Sequence, residues 1–244
     1  APFVLPKADP KYKTIASDVD RKAGVPKVDR YPTLTFPAMQ RGKLDNGTTV
    51  ILAERHEIPV VQMNYLFDGG YSSDFGGKLG TASFAMGMLR EGAGGRDALT
   101  FKSDAEALGA QLGSSAGIDG SSATLSALTS KLDASVGLFA DMLRKPAFSQ
   151  GDIDRVKAMR IAGIRQEKAR PNSAALRVLP PLLYGEGHTY AMPLTGSGTE
   201  ASVATISRDD LDAYRRAWLR PENATLVVVG DTTMDKLLPV LNRH

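Results

Sequence analysis

From about residue 42 the chain alternates between two hydrophobic periods, and each predicts a type of element. Leu44-Asp45-Asn46-Gly47 places an Asn-Gly turn directly before Thr48–Ala53, and Pro59–Phe67 is a second run rich in β-formers. The pair reads as an antiparallel hairpin or as neighbouring strands. After a Gly-rich turn over 69–77, Leu79–Leu89 has helical apolar spacing. Thr100 or Ser103 is placed to cap a helix ending near Leu112, with Ala105, Leu108 and Leu112 on one face. Small residues over 113–129 predict two strands around the Asp119-Gly120 turn. Ser130–Leu143 and Asp152–Glu167 read as helices separated at Pro146, and 171–185 as a helix interrupted by Pro180 and Pro181. Ser207 opens a further helix through a capping-box-like start, with Leu211, Tyr214 and Trp218 inward. Asn223–Val229 is expected as a buried strand, and a last amphipathic helix starts near Thr233.

Residues 1–40 behave differently, with Pro at 2, 6, 10, 26, 32 and 37 among charged residues. Such chain is expected as an extended linker or strap, which leaves 41–244 as a single domain. Paired strands with helices between them predict an α+β fold, a mixed and mostly antiparallel sheet with helices packed on it, rather than a doubly wound parallel sheet.

Composition narrows the function classes. The 244 residues are 42% hydrophobic and 23% charged, as in an ordinary globular domain. No apolar run approaches the roughly 20 residues of a membrane-spanning helix, so no membrane span is expected. Thirty Lys and Arg against twenty-seven Asp and Glu give a net charge of +3, scattered along the chain, and no nucleic-acid partner is expected. Without Cys there is no thiolate chemistry. A start at Ala1 suggests a leader already removed or a piece of something longer.

Most candidate chemistry resolves into local structure. His56, His188 and His244 have no partner at helical chelate spacing, so solvated or locally hydrogen-bonded imidazoles are expected, and His56-Glu57 makes a poor metal site. Met86 and Met88 read as packed core. The Gly92–Arg96 turn lacks the Gly-Lys-Ser/Thr ending of a phosphate loop. Ser114, Ser115, Ser121 and Ser122 have no nearby His to activate a hydroxyl. Asp209, Asp210 and Asp212 suit a helix N-terminus. The expected catalytic, cofactor-binding and metal-binding residues of this chain are therefore none.

One segment has a more pointed pattern. Gly80-Thr81-Ala82-Ser83-Phe84-Ala85-Met86-Gly87-Met88-Leu89, followed by Glu91-Gly92-Ala93, resembles the inverted zinc-binding helix of pitrilysin/insulinase-like metallopeptidases. Asp68-Gly69-Gly70, Ala107-Leu108-Gly109-Ala110, Lys145-Pro146-Ala147-Phe148 and Arg220–Asp231 follow in the order that family shows. The resemblance implies the fold of mitochondrial-processing-peptidase-like metallohydrolase domains, repeated and paired into a chamber around a peptide. In active copies two His and a more distant Glu hold zinc, and a Glu between the His is the general base. The matching positions here are Ser83, Gly87, Gly163 and Met86, with Glu167 one turn beyond Gly163. The resemblance thus implies a non-catalytic repeat or subunit, inactive alone, with zinc in a partner half, a peptide substrate, a zinc endopeptidase as the parent protein, and a bacterial, periplasmic setting. The other reading is a non-proteolytic binding or assembly module on the same fold.

Overall fold

The computed structural model describes residues 30–244 and, before them, 22, 24, 25, 27 and 28. The chain divides into two units, 1–36 and 37–244. In the first, residues 30–36 carry neither helix nor strand, and Tyr31, Leu34 and Phe36 are exposed. Most of the stretch read as a strap lies outside the described residues. Among the described residues the first strand starts at Met39, inside that stretch.

The second unit is a six-stranded sheet with helices on one face. In chain order the strands are β1 (Met39–Lys43), β2 (Thr49–Glu54), β3 (Val60–Phe67), β4 (Gln111–Ala116), β5 (Ser121–Leu128) and β6 (Ala224–Gly230). Their spatial order is β1-β2-β6-β3-β5-β4. Only β2 and β6 run parallel; the other neighbours are antiparallel. The fold is α+β, as the element pattern predicts. The helices are α1 (Thr81–Met88), α2 (Ala98–Ala107), α3 (Leu132–Arg144), α4 (Gln150–Ala169), α5 (Pro171–Tyr184), α6 (Glu200–Thr205), α7 (Arg208–Trp218) and α8 (Met234–Arg243). Among the described residues, no helix is long and apolar enough to cross a membrane.

Several local expectations need correction. The Asn-Gly turn joins β1 to β2, while β2 and β3 are not neighbours because β6 lies between them. A run of only five residues before the turn, of which just one is half-buried, gave β1 a weak sequence signal. The helix expected to reach Leu112 ends at Ala107, and its cap is Asp97, whose side chain accepts from Thr100 N at 2.7 Å. Leu112 belongs to β4. α5 runs through Pro180 and Pro181 without a break. β6 is not buried on both faces: Leu226 and Val228 point into the core, whereas Val229 is 41% exposed.

Strand alternation builds the core. Val50, Leu52, Val61, Met63, Phe67, Ala123, Leu125, Leu226 and Val228 form the helix-covered face and meet Phe84, Met88, Val136, Phe139 and Leu211. The opposite face carries Gln62, Asn64, Thr124, Ser126, Val227 and Val229, and among the described residues no helix covers it. Two glycines let the chain turn from β3 toward α1. A Cβ at Gly69 would lie 2.5 Å from the Trp218 ring, and one at Gly70 would lie 2.2 Å from the carbonyl oxygen of Ile118.

Candidate functional site

α1 opens at Gly80, at a left-handed φ of 95°, and its first amides are satisfied from a distance. Asp74, in the short turn of helix before it, accepts from Gly80 N at 2.8 Å and from Ala82 N at 3.0 Å. Burial pushes the Asp74 carboxyl up to about 6, against the pull of the Ala82, Gly80 and Thr81 amides and of the Arg160 charge. The helix then packs against α7 and β4, and Ser114 Oγ of β4 donates to the Met86 carbonyl at 2.6 Å.

Ser83 and Gly87 lie one turn apart on one face of α1, and Met86 is wholly buried. Facing them is Arg160 of α4, one turn before Gly163. Its Nη2 donates to the Ser83 carbonyl, and its Cζ lies 5.0 Å from the centre of the Phe84 ring. The same Nη2 lies 3.1 Å from where a Cβ of Gly87 would stand. Burial lowers the Arg160 pKa to about 10, partly offset by Asp74, so the guanidinium stays charged at neutral pH. From the other side the loop at Gly196 approaches Ser83. A Cβ at Gly196 would fall 2.9 Å from Ser83 Oγ and 2.6 Å from the Tyr71 ring. Around Gly163, no atom of the described residues beyond its own helix backbone and chain neighbours stands within 4 Å of the Cβ position.

This donor set does not fit zinc. A hydroxyl, a core thioether and two glycines offer neither imidazole nor carboxylate, and the charged group facing them is itself a cation. Glu167 does not make up the loss. Its Oε2 accepts from Arg177 Nη1 at 2.7 Å, Ser197 Oγ at 2.8 Å and Thr195 Oγ1 at 3.1 Å. That carboxylate ties α4 to α5 and to the loop over 194–198.

The remaining candidates are scattered and locally satisfied. His56 sits between two carboxylates, with Nδ1 2.8 Å from Asp231 and Nε2 3.0 Å from Glu54. Those two hydrogen bonds, Asp231 first, raise its pKa and favour the imidazolium. The His188 ring stacks on Tyr184 and meets Tyr190 edge-on, while His244 lies 3.2 Å from Asp133. Arg96 of the Gly-rich turn pairs with Asp104 at 2.7 Å and Asp141 at 3.1 Å. Ser121 Oγ donates to Gly69 O, Asp210 closes the Ser207 capping box, and Asp212 pairs with Arg215 and Arg216. Among the described residues, no group of three or more His, Asp or Glu side chains is arranged to hold a metal ion. Sequence reasoning missed Arg160. The signal was present as a basic residue one turn before a third-ligand position occupied by glycine, but Arg165 and Lys168 on the same helix carry equal charge.

Comparison with known proteins bears on the fold and the family. Residues 49–186 match the model of the insulinase family, peptidase family M16, and residues 205–244 match that of the M16 inactive domain. The non-peptidase homolog YmxG of Helicobacter pylori is 26% identical over 195 residues, 79% of this chain and 44% of its own. A crystal structure of an M16 inactive domain from Pseudomonas fluorescens superposes with a TM-score of 0.80 at 28% identity, over 84% of this chain and 50% of that one. The periplasmic protease PqqL of Escherichia coli shares the fold, with a TM-score of 0.72 at 19% identity over 84% of this chain and 23% of its own. The chain thus spans about half or less of the length of the relatives it matches. With family models covering most of the sheet-and-helix unit, the chain belongs to the insulinase (M16) peptidase family as a non-catalytic domain.

Proposed function

We propose that this chain is the silent half of a two-part zinc peptidase, forming the wall of a peptide chamber opposite a zinc-bearing half. What supports this reading is that the two helices α1 and α4, which by the family resemblance would carry the zinc ligands and the general base, present Ser83, Met86, Gly87 and Gly163 at the matching positions. Two surface features support it. The open face of the sheet forms a hollow of about 720 Å³ lined by Gln62, Asn64, Gln111, Thr124 and Ser126. Uncharged donors and acceptors of this kind suit a peptide backbone of any sequence, and the buried Asn64 Oδ1 has no partner among the described residues. On α5, Leu182 is 77% exposed and Leu183 65%, beside Val178 at 61%, an apolar surface suited to burial against another half. In this reading zinc resides in the partner, the parent protein is a zinc endopeptidase, and the setting is a bacterial periplasm, as the description of PqqL states for that protein.

The test is peptide cleavage with excess zinc, first by this chain alone and then with a zinc-bearing M16 half. The expected result is turnover only in the mixture, abolished by a chelator. Chelator-sensitive turnover by the chain alone overturns the reading. The description of YmxG as a non-peptidase favours a second reading, an assembly module with no proteolytic partner. A stable complex with a half that carries intact zinc ligands decides between the two.

A further inference from the structure

We propose that Arg160 is a resident organic cation that stands in for the metal, bridging α1 and α4 where a relative with intact ligands would join them through an ion. This goes beyond the chamber reading and does not depend on it. Three contacts define the seat: the Ser83 carbonyl, the face of the Phe84 ring, and the space left by the missing side chain of Gly87. Gly87 follows Ser83 and Phe84 by one helical turn, at i+4 and i+3, so the three residues lie close together on α1. A planar guanidinium has donors and no acceptor. It can therefore bond the helix carbonyl and rest on an aromatic ring while placing its positive charge where a divalent ion would otherwise find ligands.

The assignment has a structural consequence. With a nitrogen of Arg160 3.1 Å from the Cβ position of Gly87, a side chain at 87 crowds the guanidinium in its present seat, and one of the two must shift. In this proposal, restoring the ligands alone therefore does not reopen the site.

A double-mutant cycle on the thermal midpoint tests the coupling. Gly87→His is expected to lower the midpoint of the otherwise native chain by about 5 °C or more, and by less than half as much in an Arg160→Ala background. Equal losses in the two backgrounds overturn the proposal. A second measurement asks whether the cation matters apart from the space it fills. Arg160→Ala is expected to regain part of its lost midpoint with millimolar ethylguanidinium but not with ethylammonium, while Arg160→Met stays low. An Arg160→Met midpoint equal to the native one also overturns it. A third measures zinc uptake by the fourfold variant S83H/M86E/G87H/G163E with a competing chelator. The expected gain on adding Arg160→Met is 100-fold or more, and zinc binding at full strength with Arg160 in place counts against the proposal.

Discussion

Asp74 is only 5% exposed, yet it carries the first turn of α1 on its two oxygens. Desolvation holds its carboxyl near 6, well above the usual carboxylate range. A group that binds its proton more tightly when folded contributes stability fully present below the unfolded pKa and lost as pH rises through the folded one. For Asp74 the window runs from about pH 4 to pH 6, and a shift of this size corresponds to at most about 3 kcal/mol. Asp74→Asn removes that dependence. Urea unfolding across this range is expected to show the stability difference between wild type and Asp74→Asn moving against the wild type as pH rises; a difference constant with pH contradicts the assignment. That Ser83, Gly87 and Gly163 bring neither imidazole nor carboxylate was legible in the sequence, because a residue type lacking such a donor lacks it in any fold. Asp74 as a remote cap and Arg160 as a facing cation were not. Each acts across a gap of six residues or more that only the packed chain closes.

At the scale of elements, the hydrophobic period located most helices and strands, and it failed where packing outweighs local preference. Pro180 and Pro181 cost α5 two amide donors, and the sequence pattern reads as a break. The helix nonetheless continues through both, and a largely buried polar clamp anchors it. The Arg177 side chain is 8% exposed and donates to Glu167, Ser197 Oγ and the Gly198 carbonyl. Removing one member of such a buried pair leaves the other charge uncompensated, a loss of roughly 3–5 kcal/mol. Arg177→Ala is expected to approach that figure, with amide protection lost first over 171–198 and retained in the sheet. Uniform loss of protection across the chain shows instead that α5 unfolds only with the whole domain. β4 shows the reverse error. Leu108 and Leu112 fit a helix-facing stripe, but the left-handed Gly109, at a φ of 63°, ends the helix and redirects the chain into the sheet.

For the whole molecule, the open sheet face and the apolar surface of α5 are the features that a solitary domain has no need of. Leu182→Asp with Leu183→Asp is expected to change the stability of the isolated chain by no more than about 0.5 kcal/mol, since both side chains are already in water. The same pair is expected to weaken association with a zinc-bearing half by at least 10-fold in a binding titration. Undiminished affinity removes α5 from the interface. The sequence by itself determined the α+β class and the family, because periodicity and ordered landmarks are properties of the chain read in order. The tertiary structure alone decided that β6 separates β2 from β3, that Val229 lies on an uncovered face, and that a guanidinium occupies the seat beside Gly87. Strand order and cross-helix contacts join residues far apart in the chain, and no local pattern of polar and apolar positions specifies which distant partners will meet.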